Sequence, residues 1–171
     1  MIRKLLTYAV LSGAILISSC SGQRQQAATL EQGIEEHYVK RVIDGDTLVL
    51  DDERHVRLLG INTPELRKKG RQGAEEYAVE ASDRLSRLVG GNKKIKLEYD
   101  LTDKNKEDKD RFGRTLGYII ADGENTSIIL AREGFARAFM YKDLKYRKEI
   151  LEAEEEAKSA GRRIWARESQ N

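Results

Sequence analysis

Five short stretches of β-forming residues, each bounded by turn signals, constrain the fold of this chain most strongly. The first three fall within about twenty-five residues, with Asp44-Gly45 at the first turn, which predicts a tight antiparallel meander. Strands this short do not bury both faces of an open sheet, whereas a small barrel removes the exposed edges. The predicted strands cover residues 37–43, 47–50, 55–59, 94–99 and 114–121.

Three other segments carry apolar residues at the three- and four-residue spacing of an amphipathic helix. They cover residues 74–89, 127–133 and 143–160, and a glycine follows each of them closely. The resulting order of elements is β-β-β-α-β-β-α-α. We therefore predict an α+β fold with a mainly β core, in which three helices pack on a five-stranded OB-fold-like barrel.

The first twenty residues have the composition of a targeting signal. Arg3 and Lys4 precede an apolar stretch that is too short for a comfortable transmembrane helix, and Ile-Ser-Ser ends the segment before Cys20. This ending resembles a bacterial lipoprotein signal, which is cleaved before the cysteine and lipidated on its thiol. The alternative is an ordinary secretory signal with an incidental cysteine.

The segment after Cys20 predicts a tether rather than part of the fold. Residues 21–35 are rich in small and polar side chains and have little apolar periodicity, which favours a flexible connection. The domain is then expected at residues 36–168. We expect the protein outside the cytoplasm, anchored in the cell envelope by a lipid on Cys20 or, in the alternative, secreted.

Composition excludes several classes of protein. A length of 171 residues suits one domain of ordinary size, and a single cysteine excludes a disulfide framework within the chain. The formal net charge is +2 for the whole sequence and zero without Arg3 and Lys4. Global charge therefore gives no argument for a nucleic-acid partner, and any such argument depends on where the charges lie.

The residues from which chemistry can be argued lie in short fragments around the predicted strands. Asp46 follows the first turn, and Asn62 and Thr63 lie after the third strand, offering oxygen ligands of the kind that Ca²⁺ prefers. Glu65 is close enough to Asn62 to hold a water molecule beside such an ion. Hydrolysis of a phosphodiester needs this activated water and also cationic groups on the phosphoryl oxygens.

Two arginines supply the cationic groups that this chemistry requires. Arg57 lies on the third predicted strand and Arg114 begins the fifth. Each can present a planar guanidinium fork to phosphate oxygens. The alternative interpretation of both arginines is a surface salt bridge with no role in catalysis.

The order and spacing of four fragments resemble the staphylococcal nuclease family over roughly residues 37–166. The fragments cover residues 42–47, 56–65, 110–114 and 161–165. Members of this family cut DNA and RNA with a calcium ion and leave 3′-phosphate ends. The resemblance implies these roles: Ca²⁺ ligands at Asp46, Asn62 and Thr63, a general base at Glu65, stabilisation of transition-state charge by Arg57 and Arg114, and a nucleotide site lined by Arg111, Phe112 and Tyr141.

Two positions depart from the family pattern. Family members usually carry aspartate at position 62, so Asn62 keeps an oxygen ligand but removes one negative charge, and weaker calcium binding is expected. Phe112 lacks the hydroxyl of the tyrosine usual there. An alternative function is therefore a non-catalytic module that binds nucleic acid or protein, and a third is a purely structural envelope lipoprotein. We expect a monomer.

Other patterns are interpreted without a catalytic role. Asp44 is assigned to the turn alone, and His37 and His55 lack the sequence partners of a zinc site or a triad, so they are expected at the surface or in packing. The basic run at 67–71 is either a solubilising loop or a contact to the phosphate backbone. The stretch at 103–110 has the stagger of an EF-hand but not its glycine or its final glutamate, so it is expected to be a solvated loop.

Overall fold

The computed structural model describes residues 33–66, 73–100 and 108–166. The predicted signal with Cys20 and most of the tether lie outside the described residues, as do the basic run at 67–71 and most of the charged stretch at 103–110. Within the described ranges, none of the helices combines the length and the apolar character that crossing a bilayer requires.

The described residues form ten strands, eight of which belong to one sheet. The sheet has the order β1-β6-β8-β4-β3-β2, with β7 and β9 also paired to β8, while β5 and β10 pair with each other. The strands are β1 (Ile34–His37), β2 (Val39–Asp44), β3 (Thr47–Leu50), β4 (His55–Leu58), β5 (Ile61–Asn62), β6 (Ile95–Glu98), β7 (Asp108–Lys109), β8 (Thr115–Ala121), β9 (Glu124–Asn125) and β10 (Arg137–Ala138).

The five predicted strands correspond to β2, β3, β4, β6 and β8, and the α+β class and the OB-fold-like arrangement are confirmed. The pairing of β4 with β8 is parallel, whereas the other pairs are antiparallel. The strand path does not close into a ring among the described residues, so the word barrel is an approximation.

Three α-helices lie in the described part of the chain: α1 (Ala78–Val89), α2 (Thr126–Arg132) and α3 (Arg147–Ser159). The predicted first helix begins too early, because Tyr77 adopts a left-handed backbone with φ 67° and α1 starts only after it. The predicted third helix also begins too early. In the segment before α3, the Lys145 N–H donates a hydrogen bond to the Asp100 carboxylate at 3.1 Å.

Strand β1 lies partly within the segment that the sequence assigned to the tether. It pairs antiparallel with β6, with Ile34 opposite Glu98 and His37 opposite Ile95. The predicted boundary at residue 36 therefore falls inside a strand. Only Ile34 among the four residues of β1 is a strong β former, and the pairing with β6 defines the strand.

A close approach between α1 and the β2–β3 turn positions the turn that carries Asp46. A Cβ atom added to Gly45 would lie 2.8 Å from the Ala81 Cβ and 2.8 Å from the Thr63 Oγ1. Only glycine fits between these side chains without displacing one of them. All four residues of β3 are buried directly after this turn, so the turn is tied to the hydrophobic core.

Candidate active site

One open cleft of about 630 Å³ collects most of the side chains that the sequence assigned to a site. Its walls come from the ends of β2, β4 and β5, the β7–β8 hairpin and the segment after β10. The eight predicted residues that line the cleft are Asp46, Arg57, Asn62, Glu65, Arg111, Phe112, Arg114 and Tyr141. The ninth predicted residue, Thr63, is buried beside Asp46. The structure brings these side chains together, while the role of each stays a prediction.

The Asp46 carboxylate is buried and oriented by two threonines. Its Oδ2 accepts hydrogen bonds from the Thr63 N–H at 2.9 Å and from the Thr63 hydroxyl at 3.0 Å. Its Oδ1 accepts a hydrogen bond from the Thr47 hydroxyl at 3.1 Å. Because these donors come from the start of β3 and from the residue after β5, folding fixes the carboxylate before any ligand arrives.

The Arg57 guanidinium lies beside this carboxylate and is held on several sides. Its Nη2 lies 3.1 Å from the Asp46 Oδ2 and donates to the Asn62 Oδ1 at 3.0 Å and to the Ile61 carbonyl at 2.9 Å. Its Nη1 donates to the Leu58 carbonyl at 2.7 Å. Only 12% of the side chain is exposed, so the positive charge is positioned at the cleft with little freedom to move.

Asp44 is a cleft residue that the sequence analysis missed. Its Oδ1 accepts a hydrogen bond from the Asp46 N–H at 3.1 Å, and its side chain lines the cleft. Burial raises the pKa of the Asp44 carboxyl above its usual value, and the neighbouring Asp46 charge raises it further. The signal that could have found it is the spacing of two aspartates around a single glycine, which brings both carboxylates to one end of the hairpin.

The oxygen donors around Asp46 fit a calcium ion. The Asp44 and Asp46 carboxylates lie side by side, and burial first and the Asp46 charge second raise the pKa of Asp44, so a divalent cation would stabilise both charged groups. Asn62 adds an amide oxygen and Thr63 a backbone carbonyl, and hard oxygen donors of these types are those that Ca²⁺ prefers. The Asn62 oxygen already accepts a hydrogen bond from Arg57, so an ion would share that oxygen with the guanidinium.

Arg114 is positioned by the turn that joins β7 to β8. Asp110 accepts a hydrogen bond from the Arg114 N–H at 3.0 Å and another from its Nε at 2.7 Å, and its Oδ1 also accepts one from the Phe112 N–H at 2.8 Å. Burial alone would raise the pKa of the Asp110 carboxyl, but these hydrogen bonds and the Arg114 charge hold it below its usual value. Arg114 also donates to the Thr47 hydroxyl at 3.3 Å, so it reaches the strand that follows Asp46.

Residues 55–167 match the family model described as staphylococcal nuclease homologue, which is more than half of the chain. The chain belongs to the staphylococcal nuclease family. It is 35% identical over 162 residues to the thermonuclease of Staphylococcus hyicus, with 92% of both chains covered. It is 41% identical over 138 residues to the thermonuclease of Staphylococcus intermedius, covering 78% of this chain and 77% of that protein.

A Bacillus relative extends this similarity beyond the staphylococci. The endonuclease YncB of Bacillus subtilis (strain 168) is 36% identical over 132 residues, which cover 74% of this chain and 60% of that protein. The resemblance seen in the sequence fragments is thereby confirmed at the level of the family.

The predicted general base of this nuclease-family domain lies at the edge of the cleft. The backbone of Glu65 is held by Glu75, whose carboxylate accepts from the Glu65 N–H at 3.0 Å and whose own N–H donates to the Glu65 carbonyl at 2.9 Å. The Glu65 side chain is exposed and lines the cleft. Its carboxylate is therefore accessible to water and to substrate.

Aromatic side chains form the remaining wall of the nuclease cleft. Tyr141 is 48% exposed and Phe139, which the sequence analysis did not assign, is 54% exposed, with their ring centroids 6.2 Å apart. Phe112 is 69% exposed, with the Arg111 and Arg114 guanidinium carbons 4.8 and 5.5 Å from its ring centroid. Exposed rings beside the arginines of the cleft are suited to stacking on nucleic-acid bases.

A second group of potential metal ligands lies away from the nuclease cleft. His37, Asp51 and Asp52 place their ligand atoms within 4.8 Å of one another, so His37 has the carboxylate partners that the sequence analysis did not find. Arg54 binds the same group, donating to the Asp52 Oδ2 at 2.7 Å and lying 2.8 Å from the His37 Nε2. These residues are distinct from the predicted ligands Asp46, Asn62 and Thr63.

Proposed function

We propose that this chain is a calcium-dependent endonuclease that hydrolyses phosphodiester bonds in DNA and/or RNA and leaves 3′-phosphate ends. The observation that carries the proposal is the convergence of Asp46, Arg57, Glu65 and Arg114 on one cleft. Family membership and the similarity to thermonucleases and endonucleases support hydrolysis of nucleic acid.

Asp44, Asp46, the Asn62 amide oxygen and the Thr63 carbonyl would hold the calcium ion. When bound, the ion neutralises the crowded carboxylates and lowers the cost of negative charge on the phosphate. The charge on Asp46 is balanced without it by Arg57, whose Nη2 lies 3.1 Å from the carboxylate. We therefore expect the site to stay folded both with and without calcium.

The side chains of the cleft account for the hydrolytic step. Glu65 accepts a proton from a water molecule whose oxygen forms the new bond to phosphorus. The bond from phosphorus to the 5′-oxygen breaks and that oxygen takes up a proton from solvent water, which leaves the phosphate on the 3′-side and a hydroxyl on the 5′-side. Arg57 and Arg114 donate hydrogen bonds to the phosphoryl oxygens as negative charge builds up on them, while Arg111, Phe112 and Tyr141 bind the nucleotide.

The enzyme proposal is tested by incubating the chain with denatured DNA in millimolar calcium and in a chelator. Cleavage in calcium alone is expected, with 3′-phosphate ends in the products. Glu65→Gln should lower kcat by about 10²–10⁴-fold, the usual contribution of a general base. Glu149→Gln, an exposed acid on α3, is the matched control and should cut at the normal rate. Equal cleavage with and without calcium would refute the metal dependence.

A non-catalytic nucleic-acid or protein-binding module is the second candidate, and the missing charge at Asn62 favours it. This candidate requires binding of denatured DNA without any cleavage, even at high calcium. The same assay separates the two candidates, because a fluorescent oligonucleotide reports binding by anisotropy and cleavage by a change in length.

We also propose that the chain is a monomeric lipoprotein outside the cytoplasm, with lipid on Cys20. The apolar segment that ends in Ile-Ser-Ser-Cys supports this proposal. Radiolabelled palmitate should enter the protein in bacterial cells, and Cys20→Ser should abolish the label while Ser18→Ala keeps it. Release of an unlabelled native protein into the medium would favour the secreted alternative.

A further inference from the structure

Glu154 is a buried carboxylate that the proposed hydrolytic step does not use. It belongs to the buried residues of α3, with 8% of its surface exposed. Its Oε1 accepts a hydrogen bond from the Ala138 N–H at 2.8 Å, and its Oε2 accepts one from the Lys158 Nζ at 2.8 Å. Burial of a charged group is costly unless the group is paired and hydrogen-bonded, so the carboxylate depends on both partners. Glu154 therefore ties α3 to strand β10.

Strand β10 depends on contacts beyond its own pairing because it is short. Among the described strands it pairs with β5 alone, with Arg137 opposite Asn62. The Phe139 N–H extends this pairing by donating to the Gly60 carbonyl at 2.8 Å. Two strands of two residues each are at best marginally stable without further contacts. The hydrogen bond to Glu154 supplies such a contact from α3.

The small sheet of β5 and β10 carries parts of the nuclease cleft. Asn62 on β5 is a proposed calcium ligand, and Phe139 and Tyr141 follow β10 in the aromatic wall. Arg57 is also bonded to β5, since it donates to the Ile61 carbonyl at 2.9 Å. A shift of β10 would therefore move the Asn62 oxygen and both rings, and would disturb a contact of the guanidinium.

Trp165 packs against cations from both β10 and α3. Its ring is buried, with the Arg137 guanidinium carbon 4.0 Å and the Lys158 Nζ 4.8 Å from the ring centroid. Cations this close to an aromatic ring are attracted to its face. The ring therefore holds Lys158 beside Glu154 and holds Arg137 on the strand that pairs with Asn62.

We infer that Glu154 is a positioning residue of the nuclease cleft: its hydrogen bond from Ala138 fixes β10, and β10 in turn places the Asn62 oxygen and the rings of Phe139 and Tyr141. The inference rests on the proposed nuclease function. It assigns part of the affinity for calcium and for nucleic acid to a residue on α3 that does not touch either ligand.

Calcium binding tests this inference with the full chain, by calorimetry and by calcium titration of cleavage. Glu154→Ala removes the acceptor of the Ala138 N–H and should weaken calcium binding about ten-fold, because residues that orient metal ligands commonly contribute on this scale. Glu154→Gln keeps an oxygen for this N–H and should restore most of the affinity. Equal losses in the two variants, or no loss in Glu154→Ala, would overturn the inference.

Two control variants separate positioning from a general loss of stability. Glu155→Ala removes the neighbouring exposed acid of α3 and should bind calcium normally. Val89→Ala removes buried apolar volume at the end of α1, so it should lower the urea midpoint of unfolding without changing calcium affinity. If calcium affinity fell as much in Val89→Ala as in Glu154→Ala, the effect would follow stability alone and the positioning role would be excluded.

Binding of nucleic acid in chelator is a readout that needs neither calcium nor cleavage. It is measured by anisotropy of a fluorescent octanucleotide. Glu154→Ala should bind at least about three-fold more weakly than the native chain, because stacking on displaced rings loses part of its contribution. Glu154→Gln and Glu155→Ala should bind normally. If the native chain cuts nothing in calcium, the proposed enzyme fails while this measurement still decides whether Glu154 positions the rings, and unchanged binding by Glu154→Ala would show that it does not.

Discussion

Individual residues of the site depend on one another through the Asp46 carboxylate. This buried group accepts hydrogen bonds from Thr47 and Thr63 and lies against Arg57. Its removal would leave a largely buried guanidinium without its counter-charge, and losing one partner of a buried pair destabilises a protein strongly. A variant at Asp46 therefore cannot separate calcium binding from folding, whereas an exposed ligand position can.

Asn62 is such an exposed position. Exchange of Asn62 for Asp should lower the calcium concentration needed for half-maximal cleavage by roughly an order of magnitude, because affinity rises with the number of charged ligands. The new carboxylate keeps an acceptor for Arg57, which now donates to the Asn62 Oδ1 at 3.0 Å. Calcium titration of activity and calorimetry of calcium binding both measure the effect.

Asn92→Asp is the matched control for this change, because it adds the same charge in an exposed turn elsewhere. It should leave the calcium requirement unaltered. An unchanged requirement in the Asn62 variant would place residue 62 outside the set of calcium ligands.

Among the elements, the β7–β8 hairpin positions Arg114 through Asp110. Asp110→Asn removes the charge that faces the Arg114 Nε at 2.7 Å but keeps an acceptor for the backbone of the turn. We expect kcat to fall about ten-fold, since hydrogen bonds to charged groups contribute on this scale. Steady-state kinetics should show the loss in kcat rather than in KM.

Asp122→Asn makes the same exchange in an exposed turn after β8 and should cut normally. Urea unfolding of both variants establishes whether the fold is intact. A positioning role for Asp110 would be excluded if its variant lost stability but kept its kcat.

The attachment of β1 to the sheet should depend on pH through Glu35. Burial would raise the pKa of the Glu35 carboxyl, but hydrogen bonds from His37, Arg54 and Tyr99 lower it to about 2 from an ordinary 4.5. A lowered pKa stabilises the folded state above pH 4.5, and this contribution is lost as the pH falls towards about 2.

His37 titrates in the opposite sense within the same group. Burial lowers its pKa, but hydrogen bonds to Glu35 and Asp51 raise it above 6.5 overall, so its contribution is complete below pH 6.5 and is lost as the pH rises through the raised value. The free energy of unfolding of Glu35→Gln should therefore differ most from that of the native chain between pH 4.5 and 6.5. Urea unfolding at pH 5.5 and pH 3 measures the difference in the free energy of unfolding. Glu149→Gln is the control, and its difference from the native chain should be the same at both pH values.

For the whole molecule, the position of β1 determines where the domain can be shortened. A chain that begins at Gln32 keeps β1 and the hydrogen bond from the Tyr99 N–H to the Gly33 carbonyl at 2.8 Å, so it should unfold like the full chain. A chain that begins at Val39 loses this strand and should be less stable by about 2–4 kcal/mol, from the hydrogen bonds lost. Urea unfolding of both chains measures the difference, and equal stability would show that β1 contributes nothing.

Elements with a sequence pattern of their own were predicted, whereas an element defined by pairing with a distant strand was missed. Strands β3 and β8 and helix α1 were predicted because their own residues carry the required periodicity. Strand β1 was missed because it is defined by β6, about sixty residues further along the chain. Asp44 was missed because an Asp-Gly pair is already explained by a turn, and only the fold shows its half-buried carboxylate beside Asp46.

The sequence by itself determined the five longer strands that build the core, the three helices, their order, the family and most of the side chains able to act on a phosphodiester, because these depend on residue types and on spacing along the chain. Only the tertiary structure decided how those side chains meet: the Asn62 oxygen that accepts a hydrogen bond from Arg57, and the position of Asp44 beside Asp46. Such features arise from contacts between residues distant in the chain, and a pattern of neighbouring residues carries no record of those distances.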